Sequence, residues 1–411
     1  MTLPASAGSS PHLVLTFDFP PTGGGIARWL AEMARHYPPG GLVISTGSWP
    51  GSAVADAEIP QRVDRLDIPS TRLRTPLGLA RWSQRARALV RETGAAFIWC
   101  GNLKPAGYPA RWVHARTDVP YAVIFHGTDL LKLEHHVEAS FARHTTARAL
   151  IGPAAVCVAN SRWTMEVCNR VLDRLGLEPH HRPAVRTVQL GTDPRRFQPG
   201  LDSRDVRDRY GLGDGRWLLT VARLVEHKGV DNGIRAFALL SPDYPDLGYA
   251  VAGVGEIQPS LEALARSLGV GERVRFLGGV PDDCLPQLLN TATIYLGPSR
   301  EMHDKVEGFG IALVEASACG VPVVGGASGG IPDAVRDGET GLLTDPESPP
   351  AIAATLRRLL DDEVLRARLG AGGRAAVESH YNWERVTADM RGIAAEFGPM
   401  DGRLNRARGP S

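Results

Sequence analysis

The sequence predicts an α/β protein built from two doubly wound parallel sheets, and three observations predict it. Strand-like apolar runs alternate with helix-length amphipathic stretches almost end to end, the pattern of a parallel sheet covered on both faces. A polar segment, QPGLDSRDVRDRYGLGDGR, interrupts the alternation after Phe197, and the alternation then restarts. The chain has 411 residues. That exceeds what one ordinary core organises, so two domains of roughly 200 residues each are expected.

In the first series the strand candidates are HLVLTFDF, GLVISTG, AAFIWCG, YAVIFHG, AVCVANS and RTVQLG, with helical stretches such as GIARWLAEMARHY and SRWTMEVCNRVLDRLG between them. The second series runs WLLTVAR, YAVAGVG, VRFLGGV, TIYLGPS and VPVVGGA, each followed by a helix-like segment. A linker is expected near residues 192–216. Ligands of such sheets bind beyond the carboxyl ends of the strands, so two facing domains imply a cleft with its functional residues on the loops just after strands.

An apolar content of 43% with 22% charged residues describes a globular protein. The net charge of +1 gives no global attraction to nucleic acid, and no nucleic-acid partner is expected. No run approaches the ~20 apolar residues that span a bilayer. The opening MTLPASAGSS lacks the basic and apolar regions of a secretory signal, which points to the cytoplasm. The five cysteines, Cys100, Cys157, Cys168, Cys284 and Cys319, are scattered and make no close pair suited to zinc or redox work.

Five stretches carry chemistry. PPTGGGIARWL turns from a strand into a helix through Gly23, Gly24 and Gly25, which suits either a tight turn or a close backbone approach to phosphate. FHGTDL sets His126 at a strand end, to cap its loop or to meet a sugar hydroxyl. VARLVEHKG offers Arg223 and Lys228, a fork and a point charge suited to a diphosphate leaving group, or else two solvated cations. EGFGIALVE places Glu307 before a helix expected to start near Ile311, and Glu315 inside its second turn. A carboxylate accepts two hydroxyl hydrogen bonds, so each suits a vicinal diol. GASGGIPDAV adds a second glycine-lined turn around Gly330.

This set resembles the retaining glycosyltransferases of family 4, which have the GT-B fold of two Rossmann-like domains facing across a cleft. The resemblance rests on Glu307 and Glu315 within EGFGIALVEASACGVPVVGGASGGIPDAV, on Arg223 and Lys228, on FHGTDL, on PPTGGG and on LGTDPRRFQP. It covers nearly the whole chain. GPSREMHDKVEGFGIALVEASACGVPVV is most similar to the phosphatidylinositol mannoside mannosyltransferases.

The resemblance implies an acceptor-binding domain over residues 1–195 that reclaims residues 380–411, and a nucleotide-sugar domain over 196–379. It implies transfer of a hexose from a nucleotide diphosphate sugar (GDP-mannose or a UDP-hexose) to an acceptor hydroxyl with retention, by same-face attack. His126, Arg223, Lys228 and Glu307 are the implied catalytic residues. Gly24, Gly25, Val280, Phe309, Gly310, Ile311, Glu315 and Gly330 are the implied donor-binding ones. No metal and no cofactor are expected, the sequence having no Asp-x-Asp element, and the acceptor is a small molecule, a glycan or a lipid-linked sugar. A sugar-nucleotide epimerase of the same architecture and a non-catalytic binding subunit are the rival readings.

RLRTPLGLARWSQRARALVRE, from Arg72 to Glu92, interleaves Arg72, Arg74, Arg81, Arg85, Arg87 and Arg91 with Leu79, Trp82 and Leu89. It reads as an ordinary solvated helix or as a basic amphipathic helix lying on the anionic inner face of a membrane.

Overall fold

The structure is a computed structural model that describes residues 10–180 and 182–398. The first nine residues of the chain and the last thirteen of the expected 380–411 segment lie outside the described residues. The chain divides into two compact units. Among the described residues, one comprises 10–160, 164–180, 182–188 and 386–398, the other 161–163 and 189–385.

The first unit holds β1 (His12–Leu15), β2 (Leu42–Ser48), β3 (Arg62–Pro69), β4 (Phe97–Cys100), β5 (Tyr121–Phe125), β6 (Val156–Ala159) and β7 (Ala184–Thr187). They pair in parallel in the order β3-β2-β1-β4-β5-β6-β7. The central strands are apolar on both faces and fully buried, as helices on both sides require. Trp29, Trp82 and Trp99 fill the largest volumes of this core.

The second unit holds β8 (Arg216–Val221), β9 (Leu247–Ala252), β10 (Val274–Gly278), β11 (Ile294–Gly297), β12 (Val323–Gly326) and β13 (Gly341–Thr344). Their order is β10-β9-β8-β11-β12-β13, again all parallel. Its core joins β8, β9 and β11 to the helices Val230–Leu240 and Pro349–Asp361 through Leu218, Ile234, Phe237, Tyr249, Leu296 and Leu356. Both sheets reverse direction of winding once, between β1 and β4 and between β8 and β11. Loops after those strands part to opposite faces there and leave a crevice.

Three features depart from the sequence reading. β3 and β13 are strands that the apolar runs do not announce, and both are sheet edges. β3 carries Arg62, Asp64, Arg65 and Asp67, the charged composition that protects an edge from further pairing. The polar segment after Phe197 contains a short helix, Arg204–Tyr210, which Gly211 ends in the left-handed conformation.

The basic stretch is a helix only from Pro76 to Thr93. Thr75 caps it by accepting from the Gly78 N–H, while Arg72 and Arg74 belong to a preceding 3-10 turn. Trp82 and Leu89 are fully buried, and Trp82 Nε1 donates to Ser45 Oγ at 3.0 Å. Arg85 forks onto Asp64 and reaches Glu92. Trp82 and Leu89 therefore face the core, whereas Leu77 in the first turn is 64% exposed. Among the described residues, no helix is long and apolar enough to cross a membrane.

Candidate active site

β8 ends in VAR, and the chain turns through a single 3-10 turn, Glu226–Lys228, before the helix Val230–Leu240 begins. Gly229 permits that turn. Its φ is +68°, and a Cβ there would lie 2.0 Å from the Pro298 carbonyl oxygen beyond β11. The loops after β8 and β11 are thus in backbone contact across the reversal point of the sheet. Two further bonds fasten them. The Arg300 N–H donates to His227 O at 2.8 Å, and the Arg300 guanidinium grips Asp231 through Nη1–Oδ1 at 3.0 Å and Nη2–Oδ2 at 3.1 Å.

This stapling brings Lys228 and Glu307 together. Lys228 Nζ donates to Glu307 Oε2, and the pair stands beside a small pocket lined by Thr220, Val221, Tyr295, Ser299 and Leu313. Their side chains are 16% and 23% exposed, so the pair is accessible without being solvated. Burial works to raise the Glu307 carboxyl. The charge and hydrogen bond of Lys228, with His227 and the Phe309 N–H, outweigh it and hold the group below its ordinary range. Arg223 is exposed at the end of β8, and no carboxylate among the described residues pairs with it.

The helix after β11 starts at Ile311, with Gly310 at φ +101° as its N-cap. Glu307 precedes it and Glu315 falls in its second turn. The two carboxylates differ in depth: Glu315 is 3% exposed and Glu307 is partly open. The charge of Glu315 opposes ionisation of Tyr295 and of Cys319, whose thiol burial and that charge push up to about 12. Phe309 is buried and its ring meets Tyr381 at 6.2 Å, so its backbone rather than its side chain faces the loop.

Gly330 has a different job from the one its sequence context suggests. Its N–H already donates to Glu307 O at 2.9 Å. A Cβ on it would lie 1.9 Å from Gly308 O, so the glycine is there to let two loops touch. Val280 stands beyond β10, the edge strand, two strands away from β8.

In the first unit, His126 follows β5. Its Nε2–H donates to Gly101 O at 2.8 Å, which leaves Nδ1 as the acceptor of the ring, and its N–H donates to Asp129 Oδ1 at 2.9 Å. Trp29 meets the ring edge-on at 5.2 Å. Trp29 lies on the helix Gly25–His36, whose N-cap is Gly24 at φ +119°. Gly23, Gly24 and Gly25 are exposed, and a Cβ on any of them would meet nothing. The structure thus groups Lys228, Glu307 and the start of the Ile311 helix in one unit, and His126 with the glycine turn in the other.

Sequence reasoning missed His227 and Arg300. The imidazole of His227 is buried, and burial, then Lys228, lowers it to about 4. Arg300 is 11% exposed and directly follows the strand-end GPS. A buried arginine there signals a tie between loops. Arg300→Met is expected to cost about 1–2 kcal/mol of stability and to raise the donor KM, with partial recovery in Arg300→Lys. Urea denaturation and donor titration check both effects. Among the described residues, no group of three His, Cys, Asp or Glu side chains could hold a metal ion.

The family model "Glycosyl transferases group 1" matches residues 202–376, within the second unit. The GDP-mannose-dependent alpha-(1-6)-phosphatidylinositol monomannoside mannosyltransferase of Mycolicibacterium smegmatis is 33% identical over 383 residues, which are 90% of this chain and 94% of that protein. The chain belongs to the group 1 glycosyl transferases. As a member of that family it is an enzyme, a hexosyltransferase. A second relative of this glycosyltransferase is the D-inositol 3-phosphate glycosyltransferase of Acidothermus cellulolyticus, 33% identical over 75% of this chain and 69% of that one. Among solved structures, Anabaena HepE in complex with UDP and glucose superimposes with a TM-score of 0.74 at 19% identity, covering 94% of this chain and all of that one. WaaG, a glycosyltransferase involved in lipopolysaccharide biosynthesis, gives 0.64 at 18%. These two likenesses show the fold, which is GT-B.

Proposed function

We propose that this glycosyltransferase moves mannose from GDP-mannose to a hydroxyl of an acceptor that contains a phosphorylated inositol, with retention at the anomeric carbon. The observation that carries the reading is the Lys228–Glu307 pair at the β8/β11 reversal point, with Arg223 exposed just beyond β8. The choice of sugar and acceptor is supported by what the mannosyltransferase relatives act on, at 29–33% identity over nine-tenths of the chain.

Departure of the diphosphate leaves oxocarbenium character on the sugar and builds negative charge on the leaving group. Arg223 and Lys228 are assigned to that charge, where fixed cations are the largest catalytic term. Glu307 exchanges its bond to Lys228 for hydroxyls of the sugar, and Glu315 is assigned to the ribose. The amides of Gly310 and Ile311 at the helix start face the phosphates, and the backbone near Val280 meets the base. His126 is assigned to face the transferred sugar, and the glycine turn at Gly24 and Gly25 to the donor diphosphate. Retention then follows from same-face attack, with a donor phosphate oxygen taking the proton of the acceptor hydroxyl. The two cations carry out the neutralisation without a metal, so EDTA is expected to leave turnover unchanged.

Contact with an anionic membrane surface through Arg72–Arg91 would draw on its arginines and on the exposed Leu77, because Trp82 and Leu89 are buried. The experiment is product analysis by NMR with GDP-mannose and with UDP-hexoses, each with phosphatidylinositol mannoside as acceptor. The expected product is an α-mannoside formed from GDP-mannose. A β-linked product, or an altered free sugar nucleotide released without acceptor, overturns the reading, and the second outcome identifies an epimerase.

A further inference from the structure

One of the charges on the edge strand β3 turns inward. The Arg65 side chain is 9% exposed, against 47% for Arg62 on the same strand. A guanidinium taken that far from water is costly unless its N–H groups find partners. Arg65 has four bonds. Nε donates to Asp56 Oδ2 and Nη2 to Asp56 Oδ1, each at 2.8 Å, Nη1 donates to Gly47 O at 2.8 Å, and Nη2 also donates to Pro20 O.

The two-point grip on Asp56 fixes the plane of the guanidinium, and a fixed plane aims the remaining N–H groups. Asp56 lies on the short helix Ser52–Ala57 that follows β2. Gly47 sits near the end of β2, where the register against β3 shifts between Thr46 and Ser48. Pro20 lies on the loop after β1. One side chain of β3 therefore ties together the carboxyl ends of two neighbouring strands and the chain beyond each of them.

Pro20 stands three residues before Gly23, the first glycine of the exposed turn. The chain between them is closed by Thr22, whose N–H and hydroxyl both donate to Phe19 O, at 3.2 and 2.7 Å. Phe19 is fully buried, with the Arg65 guanidinium 5.9 Å from the centre of its ring. Just upstream, Asn102 Nδ2 donates to Asp18 Oδ2 at 3.0 Å. On the far side the helix takes over, the Arg28 N–H donating to Gly24 O at 3.1 Å. Gly23, Gly24 and Gly25 have no side chains to hold them, and glycine loses the most conformational freedom on ordering. The position of their amides is inherited from these anchors, and Arg65 is the one that grips Pro20.

We propose that Arg65 is a positioning residue for the transfer reaction: by holding Pro20 from the edge of the sheet, it sets where the amides of Gly23, Gly24 and Gly25 stand and how well they meet the departing diphosphate. This rests on the assignment of that turn to the donor given under Proposed function. Arg65 touches no substrate itself and acts through the turn, where fixed amide dipoles work only if they are in place before the charge develops.

The test is a double-variant cycle on the full chain: wild type, Arg65→Gln, Gly24→Ala and the pair, each assayed for kcat with GDP-mannose and phosphatidylinositol mannoside and each followed by amide hydrogen exchange. Arg65→Gln is expected to lower kcat by about tenfold or more, since a displacement of about 1 Å in a catalytic group costs up to about 10²-fold. It is expected to speed exchange over residues 18–25 while β4 and β5 keep wild-type protection, which shows that the unit is folded. The losses in kcat of the two single variants are expected not to add, because both act through one turn. Arg65→Lys keeps a charge for Asp56 but lacks the fork, and recovers only part of the loss. Unchanged exchange over residues 18–25 in Arg65→Gln, or losses that multiply in the double variant, overturns the positioning role. A wild type without turnover, or Gly24→Ala at wild-type kcat, while Arg65→Gln still frees residues 18–25, sinks the donor reading and keeps the hold of Arg65 on the turn.

Discussion

Lys228→Ala is expected to lower kcat by about 10²–10³-fold, the usual cost of losing one fixed charge aimed at a transition-state anion. The stability effect is expected to be small, about 1 kcal/mol, because the Lys228–Glu307 pair retains some solvent contact. A second consequence separates this prediction from simple damage. Lys228 is the group that keeps the Glu307 carboxyl below its ordinary range against burial, which pulls the other way. Without it, burial prevails, and Glu307 protonates at higher pH. The acidic limb of the kcat/KM profile should therefore move to higher pH in Lys228→Ala, and much less in Lys228→Arg, which keeps the charge. Steady-state kinetics from pH 4 to 9 would measure both. A variant with unchanged kcat removes Lys228 from the leaving-group role and leaves it as a structural partner of Glu307.

The same pair shows how far a sequence carries such a reading. That Glu307 precedes a helix and Glu315 lies in its second turn follows from Gly308, Gly310 and the apolar run, because glycine placement and periodicity are local signals. Their depth is not local. Glu315 is buried because the Ile311–Ala318 helix packs against β11 and β12 and against the helix Glu363–Ser379, contacts made by residues remote in sequence. Likewise the glycine at 330 is legible as a backbone requirement, while its cause, the carbonyl of Gly308, appears only when the two loops meet. Arg300 and Asp231 are 69 positions apart and carry no pattern that links them.

Strands were legible where both faces are covered, since burial on two sides writes an unbroken apolar run. Of the four edge strands, β7 and β10 kept readable runs, whereas β3, which answers to solvent, writes charge instead and the four-residue β13 is too short to stand out. The helix Pro76–Thr93 is an intermediate case. Its arginines read correctly as a basic face, but amphipathicity alone does not say what the apolar face meets, and here the answer is Ser45 and the core of its own unit.

Acid is expected to destabilise each unit through a histidine, half-buried in one and buried in the other, and the effect is large. His12 in β1 is lowered to about 4 by desolvation and then by Arg391, and His227 to about 4 by desolvation and then by Lys228, against an ordinary 6.5. His12 Nδ1 and Tyr37 OH share a hydrogen bond of 2.5 Å. Between pH 4 and 6.5 the unfolded chain binds a proton at each site that the folded chain refuses. The contribution of each site is therefore complete above pH 6.5, falls as pH drops through that window, and is absent below 4. At about 1.4 kcal/mol per pH unit, each histidine accounts for about 3 kcal/mol. Urea denaturation at a series of pH values should show this slope in the wild type. His227→Gln should flatten its share between pH 4 and 6.5 while leaving the fall at lower pH, where a carboxylate such as Asp202, held at about 2 by Arg204, takes up its proton. An unaltered slope in that variant would mean that His227 charges freely in the folded chain, and that the loop after β8 opens to water as readily as it closes on Lys228.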